Sequence, residues 1–62
     1  MHTQILPNLG DLVTVNPTLE NDIFERTAQT GIVFYIKPTG IIVVKFSDQK
    51  IGMYTKNNIT IL

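Results

Sequence analysis

The chain has 62 residues, 44% of them hydrophobic and 16% charged, with formal net charge zero and no cysteine. That length limits it to one domain, residues 1–62, which on folding removes only roughly 60% of its unfolded surface from water. The missing thiols exclude disulfides and thiolate metal sites, and the apolar fraction excludes a disordered chain.

Residues 1–9 read as an N-terminal tail or an extra strand. Gly10-Asp11 then leads into Leu-Val-Thr-Val, which predicts a strand over 12–15 from its β-branched bias. Asn16-Pro17 ends it, because proline cannot donate to a ladder and Asn-Pro favours a turn. Residues 16–29 form the longest connection. Thr18 is placed to cap one helical turn through Asp22, with Leu19 and Ile23 on one side. A single turn does not stand alone, so the segment reads as a structured loop.

Gly31 opens a second strand, Ile32 to Lys37. Lys37-Pro38-Thr39-Gly40 predicts a type I turn with a bulge, proline presetting the second position and glycine supplying the left-handed fourth. A third strand runs Ile41 to Phe46, a polar turn spans Ser47-Asp48-Gln49-Lys50, and a fourth strand runs Ile51 to Thr55. Lys56-Asn57-Asn58 predicts a single helical or 3₁₀ turn, and Ile59-Thr60-Ile61-Leu62 a last short strand. Five antiparallel strands of this length must curl for each to gain an inward face, so the expected fold is all-β, a small five-stranded barrel.

Neutrality conceals an asymmetry. Residues 1–29 carry Asp11, Glu20, Asp22 and Glu25 against Arg26, a net of −3, while residues 30–62 carry Lys37, Lys45, Lys50 and Lys56 against Asp48, a net of +3. Scattered on a solvated surface these charges mean little. Gathered, they give an acidic loop (Glu20, Asp22, Glu25 and Arg26) and a basic side able to steer a charged partner.

The order strand, long loop, strand, tight turn, strand, tight turn, strand, one-turn helix, strand resembles the Src-homology-3-like barrel. Gly10-Asp11, Gly31-Ile32-Val33-Phe34-Tyr35-Ile36 and Val44-Lys45-Phe46 resemble the glycine-anchored pattern of KOW and related barrels, over about residues 9–62. That pattern implies that Val33, Ile36, Ile42, Val44 and Phe46 point inward, leaving Phe34, Tyr35, Ile41 and Val43 on or near the outer face. The stretch from Val44-Lys45-Phe46 to Ile59-Thr60-Ile61-Leu62, with the Tyr54-Thr55-Lys56-Asn57-Asn58 turn, is also similar to the barrel end of photosynthetic electron-transport accessory proteins. The small accessory barrel of photosystem I and the variable chain of ferredoxin–thioredoxin reductase are examples, and the likeness implies a non-catalytic protein that braces a redox partner. The Ile- and Asn-rich composition suits an AT-rich genome, that of a phage included.

Catalysis has little to draw on. The one histidine is His2, the one serine is Ser47 in a turn, and no residues have metal-ligand spacing or form a glycine-rich phosphate loop. No cofactor is expected, and the chain reads as a non-enzyme. No run reaches the roughly 18 apolar residues of a membrane span, and the start lacks the pattern of a signal peptide, which predicts a cytoplasmic protein. Outer Phe34, Tyr35, Ile41 and Val43 are either covered by Ile5-Leu6 or by Leu19, Ile23 and Phe24, or they form an exposed patch rimmed by lysines, the mark of an interaction site. The function expected is protein binding, in a regulatory or accessory role on a larger assembly, through Phe34, Tyr35, Lys37, Ile41, Val43, Lys45 and Tyr54. Tyr54 also fits the core with its hydroxyl at the rim. The alternative is a nucleic-acid-binding barrel using Lys37, Lys45, Lys50 and Lys56 with stacking aromatics, opposed by zero net charge and a single arginine. Self-association through the second and third strands is a further arrangement, giving a homo-oligomer.

Overall fold

The computed structural model describes residues 6–62. It is all-β, with β1 at Leu12–Val15, β2 at Thr30–Ile36, β3 at Ile42–Lys45, β4 at Ile51–Tyr54 and β5 at Ile59–Ile61. A 3₁₀ turn, Lys56–Asn58, precedes β5. The strands form one sheet in the order β4-β3-β2-β1-β5, and every neighbouring pair is antiparallel.

The turns follow from their residues. The Lys37 carbonyl accepts from the Gly40 N–H at 2.9 Å, and the Lys37 N–H donates to the Ile41 carbonyl at 2.8 Å. Gly40 takes φ +93°, the left-handed position that glycine occupies without steric cost. The β3–β4 turn repeats this arrangement one hairpin later: Gln49 N–H to Phe46 carbonyl, and Phe46 N–H to Lys50 carbonyl, both at 2.9 Å. There Gln49 itself sits at φ +72°. Because these closing bonds belong to the turns, Lys37, Ile41 and Phe46 flank the strands and do not extend them.

The expected helical turn from Thr18 to Asp22 is absent. Asn21, Glu25 and Ala28 take φ of +57°, +57° and +67°, and a right-handed helix cannot run through such residues. Asp22 organises the loop instead, accepting the Phe24 and Arg26 N–H groups, each at 2.9 Å. Leu19 and Phe24 pack on the core, whereas Ile23 is 85% exposed and covers nothing.

Strand alternation places Val13, Val15, Val33, Ile42, Val44, Phe46, Tyr54 and Ile59 in one buried cluster on the inner face. Ile36 packs against it, half-buried. Gly31 belongs to this face for want of room: a Cβ there would lie 2.6 Å from Val44 Cγ1 and 2.8 Å from the Lys45 carbonyl oxygen. Asn16 ties β1 to the 3₁₀ turn, its N–H donating to the Asn58 carbonyl and its side-chain amide to the Asn57 carbonyl, both at 2.9 Å. No buried side-chain nitrogen or oxygen among the described residues lacks a hydrogen-bond partner.

Candidate functional site on the outer face

The opposite face of the same sheet is where apolar side chains meet solvent. Register sets Leu12 beside Ile32, Ile32 beside Lys45, and Lys45 beside Ile51, a row crossing four strands. A second row sets Tyr35 beside Val43 and Val43 beside Met53. Leu12, Ile32, Ile51 and Met53 are all exposed. Single exposed apolar residues are ordinary; a contiguous run of them across a sheet is not.

Phe34 joins this face through an irregularity. Val33 pairs with Val44 and Tyr35 with Val43, so the register slips and Phe34 is left as the extra residue of a β-bulge. A bulge of this kind turns successive side chains to the same side. Phe34 is accordingly 59% exposed and Tyr35 49% exposed, next to each other. The Lys45 ammonium lies 5.3 Å from the centre of the Phe34 ring, a cation–π contact.

An open groove of about 760 Å³ runs across the β1, β2 and β3 end of this face, lined by Leu9, Leu12, Ile32, Phe34, Lys45 and Gln49 among others. Lys45 is the one charged residue in its lining. The ion pair among the described residues lies elsewhere, between Arg26 and Asp48.

The expected contact residues therefore divide. Phe34, Tyr35 and Lys45 lie together on the exposed face. Val43 points the same way but is only 5% exposed, enclosed between its neighbours Tyr35 and Met53, so it forms the floor and offers no free surface. Ile41 is half-buried and lines a smaller hollow of about 280 Å³ beside Phe24, Met53 and Tyr54. Lys37 is exposed in the β2–β3 turn. Tyr54 is buried in the inner core, in edge contact with Phe24 at 5.7 Å between ring centroids, and so stands apart from the exposed outer face. Of the two covers expected for the outer residues, Leu6 is itself exposed, Ile5 lies outside the described residues, and the loop residues Leu19 and Phe24 serve the core.

The acidic loop divides too. Glu20 and Glu25 are exposed. Asp22 is committed internally, since it also accepts from Thr27 Oγ1 at 3.3 Å and from the Tyr54 hydroxyl. Burial pushes its carboxyl up, but the backbone N–H groups of Arg26 and Phe24 and the Tyr54 and Thr27 hydroxyls outweigh that and hold it below the ordinary range. Arg26 spans Asp48, the Gln29 side chain and the Phe46 ring, 5.1 Å from its centroid, and so acts as a brace between the loop and the β3–β4 turn. The Arg26 guanidinium, first, and the Lys50 N–H hold the Asp48 carboxyl below its ordinary value.

Alternation within each strand would have added Leu12, Ile32, Ile51 and Met53 to the outer set, since each flanks residues that face the core. The lysines do not form a stripe: Lys37 and Lys50 sit in turns at opposite ends of β3, and Lys56 in the 3₁₀ turn. Among the described residues, no three His, Cys, Asp or Glu side chains gather as a metal would require, and no helix is long and apolar enough to cross a membrane. No family model, curated protein or solved structure matches the chain.

Proposed function

We propose that this chain is a non-catalytic binding module that docks on a larger protein through the outer face of its sheet. The observation that carries the reading is that Leu12, Ile32 and Ile51, with Phe34 and Tyr35 beside them, are apolar and exposed on a folded domain, in one row with half-buried Lys45. Exposed aromatic and large apolar side chains grouped on one face are what protein interfaces bury, aromatic residues serving as their anchors.

The fold is read as an Src-homology-3-like barrel. Strand order, the long first loop, two tight hairpins and the 3₁₀ turn before β5 support it. So does chain length between the sheet edges. In a flat five-stranded sheet β4 and β5 would be roughly 19 Å apart. Thr55 and the three residues of a compact 3₁₀ turn join Tyr54 to Ile59, a bridge of roughly 13 Å. The sheet must curl to be bridged that way.

Partner capture from the native host, with and without nuclease, tests the reading. The wild-type chain should retain a protein partner after nuclease treatment, Ile32→Glu should lose it, and Glu20→Lys should keep it. Nuclease-sensitive capture that weakens steeply with salt would replace the reading with nucleic-acid binding.

A further inference from the structure

The groove between β1, β2 and β3 has a chemistry narrower than "apolar", and it specifies its occupant. Its walls are the side chains of Leu9, Leu12, Ile32 and Phe34, and a single ammonium, Lys45, stands among them with no carboxylate in the lining. Lys45 is half-buried as a residue, and its ammonium lies against the face of Phe34. An aromatic face attracts a cation but leaves its N–H groups free to bind an anion. A wholly apolar occupant would desolvate Lys45 with nothing in return, which is costly. An occupant bringing a carboxylate beside an apolar side chain satisfies both parts.

We infer that this groove receives a short extended peptide segment of a partner protein in which an Asp or Glu adjoins large apolar residues. The inference rests on the docking reading above and deepens it. Three strands at roughly 4.8 Å spacing give a floor of about 10 Å, enough for three or four extended residues. The apolar surface continues past the groove to Tyr35, Ile51 and Met53, more than a small molecule would cover. A second copy of the chain fits poorly. A two-fold contact centred on this face sets Lys45 against Lys45, and like charges with no counter-ion repel. A nucleic-acid backbone fits poorly as well, because one ammonium neutralises one phosphate.

The test is selection from a random short-peptide library displayed on phage, against the immobilised chain. Selected peptides should place Asp or Glu next to Leu, Ile, Phe or Trp. Their synthetic forms should bind about fivefold more weakly to Lys45→Gln. Lys45→Glu should turn the selection toward Lys- or Arg-bearing peptides, and Ile32→Glu should abolish it. Circular dichroism melts verify that each variant is folded. Peptides lacking acidic bias, yet still lost with Ile32→Glu, overturn the inference and leave the docking face standing. A selection indifferent to Ile32→Glu overturns both, and no selected peptide at all overturns the peptide inference and leaves the docking reading to partner capture. A dimer in sedimentation equilibrium that Ile32→Glu dissociates assigns the groove to a second copy and overturns the peptide.

Discussion

The Tyr54 hydroxyl reaches both carboxylate oxygens of Asp22, at 3.0 and 3.2 Å, and joins the long loop to β4 across 32 residues of chain. Asp22 collects two backbone N–H groups and the Thr27 hydroxyl at the same point. This carboxylate, with the Arg26 brace to Asp48, organises the loop in place of a helix.

Tyr54→Phe removes the hydroxyl and leaves the ring in the core. A hydrogen bond to a charged acceptor contributes about 1.5–3 kcal/mol at most, and Asp22 keeps its other donors, so the expected loss is about 1–2 kcal/mol. Urea denaturation followed by circular dichroism measures it. An unchanged midpoint would show the contact to be incidental.

The same network makes stability depend on acid. A carboxyl whose folded pKa is depressed stabilises above its unfolded pKa of about 3.9 and loses that contribution as pH falls through the folded value. Asp22 and Asp48 are both depressed. Melting temperature should therefore fall as pH drops below about 4, and Asp22→Asn, less stable at neutral pH, should show a shallower fall.

At the alkaline end the sign reverses. Burial, then the hydrogen bond and charge of Asp22, push the Tyr54 hydroxyl's pKa well up. An acid with a raised folded pKa contributes stability that is present below the unfolded value, about 10, and lost as pH rises beyond it. In a Tyr35→Phe variant, where Tyr54 is the remaining tyrosine, ultraviolet titration should show phenolate appearing together with unfolding. Phenolate formed reversibly in the folded chain near pH 10 would contradict the buried, Asp22-bonded hydroxyl.

The two hairpins make a paired test of backbone strain. Gly40 and Gln49 occupy equivalent left-handed positions, and a side chain there costs roughly 1–2 kcal/mol. Gln49→Gly should stabilise by about 0.5–1 kcal/mol, the gain reduced by the greater unfolded freedom of glycine. Gly40→Ala should destabilise by about 1 kcal/mol. Thermal melts of the two variants should therefore move in opposite directions.

These hairpins are also the most legible part of the sequence. Lys37-Pro38-Thr39-Gly40 states its own turn type, and β1 and the 3₁₀ turn fall where Leu12–Val15 and Lys56–Asn58 place them. Inward-facing Val33, Ile42, Val44 and Phe46 are equally readable. What stays hidden depends on partners far along the chain. Asp22 needs Tyr54 to reveal its role, and Val43 is buried because Tyr35 and Met53 flank it from adjoining strands. Ile23 departs from the expected helical turn because three left-handed residues nearby, none of them glycine, leave no local mark.

Adjacent residues on the two faces should behave oppositely. Val33→Ala opens a cavity in the inner core and should cost about 2 kcal/mol. Ile32→Glu alters an exposed side chain and should change stability by less than about 1 kcal/mol. Differential scanning calorimetry of both gives the comparison, and a large loss from Ile32→Glu would mean that this face is structural.

The most direct measurement is nuclear magnetic resonance shift mapping of the isotope-labelled chain titrated with the captured partner. For docking through the outer face, the perturbed amides should centre on Leu12, Ile32, Phe34, Lys45 and Ile51, with Glu20 and Glu25 unmoved. Perturbations confined to the Glu20–Glu25 loop or to the lysine-bearing turns, with the outer strand face silent, would contradict it.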